Sequence, residues 1–297
     1  MTSLKSLIVG PGAIGALTCV HIQAFSDVFV YEHRQKLELA TSLIIGDFKN
    51  PLHWALIGDT APAIDVIWVC CKANQVSKTI PQLLHRFPEA VAILLHNGMG
   101  PQQQLQDEFD DRILVGSTTC GALPDSPKSF TQTSFGKTFL GFRENNARHQ
   151  SLKRILLRVT NNTGPLAFCD ANDIDNILWR KLLINACINP LTAFHQIQNG
   201  KLLKLEFRQE ITEICREVMQ IMQAAGVAQM DDPIQAVLDV AQMSQHNWSS
   251  MAMDLKMHRK TEIDYINGFL IDRGLDFNIP TPTLEKWYKR IAFNLES

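Results

Sequence analysis

The chain has 297 residues, long enough for two domains, with 45% hydrophobic residues, 20% charged residues and a formal net charge of -2. So small a charge argues against nucleic acid or an anionic membrane as the principal partner, and leaves room for a local basic pocket. The seven cysteines, at 19, 70, 71, 120, 169, 187 and 215, form no C-x-x-C pair and have no histidine cluster at zinc spacing. They read as small apolar side chains of a reducing compartment, with no metal site.

The opening MTSLKSLIVGPG has an apolar run of about four residues before Gly-Pro-Gly, too short for a signal-peptide core or a membrane span. No later run reaches spanning length, so a soluble, cytoplasmic protein is expected. Short apolar runs of strand length then recur at Leu7–Val9, Val28–Tyr31, Val66–Cys71, Val91–Leu95 and Ile113–Val115, with helix-length segments between several of them. That alternation predicts βαβ units and a mostly parallel, doubly wound sheet, and the continuous apolarity fits strands covered on both faces. The Gly-, Ser- and Thr-rich stretch that follows, carrying Phe130, Phe135 and Phe139, predicts an antiparallel hairpin at the sheet edge.

After about residue 170 the strand signals stop and helical periodicity runs through 174–194, 202–225, 233–257, 262–273 and 284–294. Thr261 with Asp264 resembles a capping box, Arg273-Gly274 a helix stop, and Pro280 and Pro282 a break before the last helix. The boundary is therefore expected near 168, giving an α/β dinucleotide-binding domain over 1–168 and an all-α substrate and catalytic domain over 169–297.

Residues 10–15 read GPGAIG directly after the first strand and open into a helix. In that setting Gly10 makes the tight turn, Gly12 admits backbone to a pyrophosphate, and Gly15 lets helix pack on strand. The phosphates would rest on the unpaired N–H groups of the helix start. The plain alternative is a glycine turn that binds nothing. At the end of the second strand, Glu32 lies where an acid grips the ribose hydroxyls of NAD, whereas Arg34 and Lys36 offer charge to the 2′-phosphate of NADP. The balance favours NADP, because a doubly charged phosphate gains most from a guanidinium fork. Lys72 and Gln75 in CKANQ, and Asn97 in HNGMG, follow later strands on the ligand-binding side of such sheets.

Farther on, WRKLLINACINPLTA sets Lys181, Asn185 and Asn189 at i, i+4 and i+8, one polar row on an otherwise apolar helix. Buried polar groups need partners, so the row either lines a ligand cleft or bonds to other protein groups. Pro190 should disturb that helix and free a carbonyl. Asn247 and Ser250, at i and i+3, are expected on one helix face as donors to a carboxylate. Glu262 alone reads equally as an acid complementing a helix dipole.

Taken in order, GPGAIG, Arg34, KANQ, HNGMG, the loop 116–122, WRKLLINACINPLTA, NWSSMAMDL and TEIDYINGFL resemble the ketopantoate reductase (2-dehydropantoate 2-reductase) family over nearly the whole chain. The resemblance implies a Rossmann-type domain followed by an all-α domain of the 6-phosphogluconate dehydrogenase C-terminal-like kind. It implies NADP(H) as cofactor and reduction of 2-dehydropantoate to (R)-pantoate on the route to coenzyme A. The expected assembly is a monomer or homodimer acting on a small 2-keto acid. Lys181 takes the family's general-acid position. Glu262 takes that of the acid orienting the lysine, binding the substrate's terminal hydroxyl and touching the cofactor. Ser250 falls on the carboxylate site, with Asn185, Asn189, Asn199 and Asn247 lining the substrate pocket. The cofactor set is Gly10, Pro11, Gly12, Ala13, Ile14, Gly15, Arg34, Lys72, Gln75, Asn97 and Ala122, with Asn97 also near the substrate. The chain departs from the pattern at Asn74, often aromatic, at Cys120, commonly histidine, and at Glu32.

The chemistry is consistent with that pattern. Hydride arriving at a ketone carbon builds negative charge on oxygen, which a positioned ammonium stabilises and protonates. Burial lowers a lysine's pKa and an adjacent carboxylate restores it, so a Lys181–Glu262 pair fits the task. Two other readings stand beside this one: a reductase of a different 2-keto acid, and an NADP-sensing protein without turnover.

Overall fold

A computed structural model describes residues 3–31, 39–58, 60–126, 128–142 and 150–293. Arg34, Glu32 and Lys36 lie outside the described residues. The chain divides into two compact units, 1–96 with 101–174, and 97–100 with 175–297. The division thus falls later than the expected 168, because Phe168–Asp170 still pairs as a strand with Thr138–Gly141.

The first unit holds twelve strands among its described residues. In chain order they are β1 (Leu4–Val9), β2 (Ser26–Tyr31), β3 (Ser42–Ile45), β4 (Phe48–Pro51), β5 (Trp54–Leu56), β6 (Val66–Val69), β7 (Val91–Leu94), β8 (Ile113–Thr118), β9 (Gly121–Ser126), β10 (Ser129–Ser134), β11 (Thr138–Gly141) and β12 (Phe168–Asp170). The main sheet runs β12-β11-β8-β7-β6-β1-β2-β5, and its β5 to β8 portion is parallel throughout. The chain steps outward from β1 to β2 and β5, then crosses back to β6, so the order reverses between β1 and β6. Reversals of this kind are where open α/β sheets bind ligands, beyond the carboxyl ends of the strands. Every residue of β6, β7 and β8 is buried, as the unbroken apolar runs require of strands covered on both faces. Helices α1 (Ala13–Ile22), α2 (Ala73–Arg86), α3 (Pro101–Phe109) and α4 (Gln150–Thr160) complete this unit.

The hairpin predicted at the sheet edge forms, but elsewhere. Strands β9 and β10 pair antiparallel in a second sheet, β4-β3-β10-β9, while β11 alone joins the main sheet, antiparallel to β8. β3, β4 and β5 were not foreseen, since each is only three or four residues long and β4 reads FKNP, with no apolar run.

The second unit is helical: α5 (Ile174–His195), α6 (Arg208–Ala224), α7 (Pro233–Met243), α8 (Ser250–Lys256), α9 (Phe269–Asp276) and α10 (Pro282–Ala292), with a π-helical turn over Asp264–Gly268. Sequence reasoning missed four details here. The segment expected over 202–225 begins as two 3-10 turns, Asn199–Leu203 and Leu205–Phe207. The segment 233–257 is two helices, each with its own cap: Asp232 accepts from Gln235 N at 2.8 Å, and Ser249 from Ala252 N at 3.1 Å. The Thr261–Asp264 capping box does not form; Thr261 Oγ1 is buried without a hydrogen-bond partner, and Asp264 instead accepts from Tyr288 Oη at 2.9 Å. Gly274 is no stop, because the helix runs on to Asp276, and its missing Cβ is what lets Thr281 and the Ile279 carbonyl pack against it.

Helix α5 passes through Pro190 unbroken, although that proline leaves the Ala186 carbonyl without its usual donor. Helix α6 secures α10 by its buried Glu217, whose carboxylate accepts from Thr283 N at 2.8 Å and Leu284 N at 2.9 Å. An acid there meets two of the orphan N–H groups of the helix start and its positive dipole end. No helix among the described residues is long and apolar enough to cross a membrane.

Candidate active site

The glycine turn after β1 is shaped by close backbone packing. Gly10 sits at φ +92°, and a Cβ there would lie 2.6 Å from Cys71 N in the turn after β6. Gly15 faces the Gly10 carbonyl oxygen, and a Cβ would also lie 3.2 Å from Ile8 Cγ2, so helix and strand meet with no room for a side chain. Gly12 is different. No atom lies within 4 Å of the position its Cβ would take. It is the N-cap of α1 and is exposed, so space is open beside the first helical turn, where unpaired N–H groups can meet an anion. Pro11 is buried, and Ala13 and Ile14 are half-buried around the same turn.

Lys72 caps α2 at the end of β6, across the point of strand-order reversal, and is half-buried; Gln75 is exposed one turn on. Two neighbouring thiols are inert: burial pushes Cys19 and Cys70 up to about 12. Ala122 lies in β9 and belongs to the same buried apolar cluster as Ala16 and Leu17, so its side chain serves packing.

The residues expected to carry the acid–base chemistry lie in the second unit. Lys181 and Asn185 are half-buried on α5, with Asn189 at 6% exposure one turn further. Glu262, at 8% exposure, precedes the π turn. Asn97 stands between the two charges. Its Oδ1 accepts from Lys181 Nζ at 3.0 Å, and its Nδ2 donates to Glu262 Oε2 at 3.3 Å. That amide orientation is the one in which both contacts run from donor to acceptor. The expected Lys181–Glu262 partnership therefore includes the loop asparagine. Such a chain holds an ammonium in one direction.

The loop owes its place to glycine. Gly98, at φ +79°, packs on the backbone of Tyr265, where a Cβ would lie 2.5 Å from the carbonyl oxygen. Met99 N donates to that same oxygen at 2.8 Å.

Two family models match, "Ketopantoate reductase PanE/ApbA" over residues 6–145 and "Ketopantoate reductase PanE/ApbA C terminal" over residues 173–294. The chain belongs to the ketopantoate reductase family. A 2-dehydropantoate 2-reductase of Vibrio cholerae serotype O1 is 32% identical over 293 residues, covering 97% of each chain. Among solved structures, a probable 2-dehydropantoate 2-reductase from Bacillus subtilis aligns with TM-score 0.81 at 25% identity, covering 98% of this chain and 100% of the other. D-mandelate dehydrogenase, solved with NADH and anilino(oxo)acetate, aligns with TM-score 0.85 at 19% identity over 99% of each chain, a likeness of fold.

The remaining positions of the ketopantoate reductase pattern are placed less uniformly. Ser250 is exposed at the first turn of α8, and Asn247 precedes the cap in non-helical chain, so the two do not share a helix face. The helix breaks there because Ser249 turns inward as the cap and also accepts from Thr192 Oγ1 at 2.8 Å, tying α8 to α5. Asn199 is buried and donates to Ser244 Oγ at 3.0 Å, while its N–H bonds the Asn247 carbonyl at 3.0 Å. It holds the Asn247 segment in place. Ser249, Met99 and Tyr265 were all missed. A serine directly ahead of the helical SMAMDLK is the signal that points to Ser249 as a cap, whereas a backbone contact between residues 99 and 265 leaves no mark in the sequence.

Proposed function

We propose that the protein reduces 2-dehydropantoate to (R)-pantoate with NADPH, a step supplying coenzyme A synthesis. The observation that carries the reading is the Lys181–Asn97–Glu262 chain, in which a half-buried ammonium is held by an amide that also engages a buried carboxylate.

The open space beside Gly12 at the start of α1 supports a dinucleotide, its pyrophosphate proposed on the first N–H groups of α1 and Lys72 as a cationic neighbour. When bound, the nicotinamide supplies hydride. Arg34 is the residue proposed to read the 2′-phosphate, and Gln75 and Asn97 the groups proposed to contact the cofactor. Lys181 acts as general acid, giving a proton from Nζ to the ketone oxygen as charge develops on it. Glu262 keeps the ammonium protonated and directed, and accepts a hydrogen bond from the substrate's terminal hydroxyl. Ser250 and Asn247 are proposed donors to the substrate carboxylate, with Asn185, Asn189 and Asn199 lining or supporting the pocket. The protein is proposed to work in the cytoplasm, as a monomer or homodimer.

The experiment is a panel of 2-keto acids with NADPH and with NADH. Preferential turnover of 2-dehydropantoate with NADPH supports the reading. Equal turnover of pyruvate assigns the site to another keto acid, and cofactor binding without turnover of any of them assigns it to a sensor.

A further inference from the structure

We propose that the π turn Asp264–Gly268 is a positioning device for the acid–base chain, acting through Gly98 and Met99 on Asn97; this rests on the reading of Lys181 as the proton donor. A π turn inserts one residue into a helix and takes a carbonyl out of the ordinary i to i+4 ladder. Here the Tyr265 carbonyl accepts Met99 N at 2.8 Å, a bond that comes from outside the helix altogether. Gly98 lies flat on that carbonyl in a left-handed conformation that other residues rarely adopt, and no side chain fits between them. One residue before this docking point is Asn97, the amide between Lys181 and Glu262. Three residues before Tyr265 is Glu262, whose carbonyl accepts Tyr265 N at 3.0 Å. One backbone feature thus fixes both the bridge and the acid it bridges to.

The turn is costly to hold, which marks it as more than a packing accident. Asn267 within it is fully buried, and neither its Oδ1 nor its Nδ2 finds a hydrogen-bond partner. Unmet polar groups and irregular backbone persist where the surrounding structure enforces them, commonly beside functional sites. The enforcement is visible at Asp264, which opens the turn with its carboxylate held by Tyr288 Oη at 2.9 Å and Lys260 Nζ at 3.5 Å.

The test combines Gly98→Ala, Asn97→Ala and the double variant in the full chain, each followed by kcat, KM for the keto acid, and the pH profile of kcat. Gly98→Ala is expected to lower kcat at least about tenfold and to shift the pH profile in the same direction as Asn97→Ala. The double variant should be no worse than Asn97→Ala alone, since Gly98 acts through Asn97. Gly226→Ala is the control: it has φ +71° with nothing near its Cβ, so it carries the backbone strain alone and should leave the profile unmoved. Additive losses, or a Gly98→Ala profile superimposable on wild type, overturn the proposal. Hydrogen exchange on the unmodified protein provides a reading that needs no variant to fold. The Met99 amide should exchange at least about a thousandfold more slowly than an unstructured amide, and rapid exchange overturns the proposal. Lys181→Ala is run alongside: if it stays fully active, the proton-donor reading has failed, whereas an inactive Lys181→Ala beside a normal Gly98→Ala means that only the positioning role has.

Discussion

Lys181 Nζ lies 3.0 Å from Asn97 Oδ1, so one of its three N–H bonds is committed to a neutral acceptor. An amide acceptor directs an ammonium along one line, which suits the proposed proton donor to a developing alkoxide.

Removing that ammonium should therefore act on the chemical step. Lys181→Ala is expected to lower kcat at least about a hundredfold while the dissociation constant for cofactor changes little. Steady-state kinetics with a direct binding titration check this. Wild-type turnover in the variant would remove Lys181 from the role.

Cofactor choice is expected to follow Arg34. Arg34→Ala should weaken NADPH by at least about tenfold and NADH much less, because only NADPH carries the phosphate that a guanidinium fork grips. Equal effects on the two cofactors would transfer the selection to Glu32.

The α10 cap offers a stability test away from the chemistry. Glu217 is 1% exposed and meets two backbone N–H groups, so Glu217→Ala leaves both buried and unpaired. The loss should be about 2–4 kcal/mol in urea unfolding of the helical unit. A change below about 0.5 kcal/mol would mean that water replaces the carboxylate at little cost.

His21 gives the first unit a pH dependence. Burial lowers it from 6.5 to about 4, with the Val159 and Asn162 carbonyls only partly opposing. It is 1% exposed, and its ring packs edge-on to Phe168 at 4.6 Å between centroids. As pH falls below 6.5, the unfolded chain takes up a proton that the folded one refuses until about 4. Stability present above 6.5 is therefore lost across that window, to a total on the order of 3 kcal/mol. His21→Gln should lose correspondingly less over the same range. Parallel curves for the two proteins would show that His21 does not report this burial.

How much of this was legible in the sequence depends on the range of the interaction. Unbroken apolar runs located β1, β2, β6, β7 and β8; for β6, β7 and β8, buried along their whole length, no polar side confuses the pattern. β3, β4 and β5 escaped, since short strands such as FKNP carry no apolar period and form only through their neighbours. Lys181 was singled out by its row with Asn185 and Asn189 on an otherwise apolar helix and by the motif around it, and Glu262 by its motif alone. The Asn97 bridge joins positions 84 and 165 residues apart along the chain, and the Tyr265 carbonyl that seats its loop is backbone. Side-chain identity says little about either. Ser250 was favoured over Ser249 on family pattern, while local capping chemistry turned Ser249 inward.

The most direct test of the central claim is the rate of NADPH oxidation by the purified protein with 2-dehydropantoate, set against pyruvate at equal concentration and repeated with Lys181→Ala. The account expects fast oxidation with 2-dehydropantoate, little with pyruvate, and loss of the first rate in the variant. A wild-type rate with 2-dehydropantoate no greater than with pyruvate, or one untouched by loss of Lys181, would contradict it.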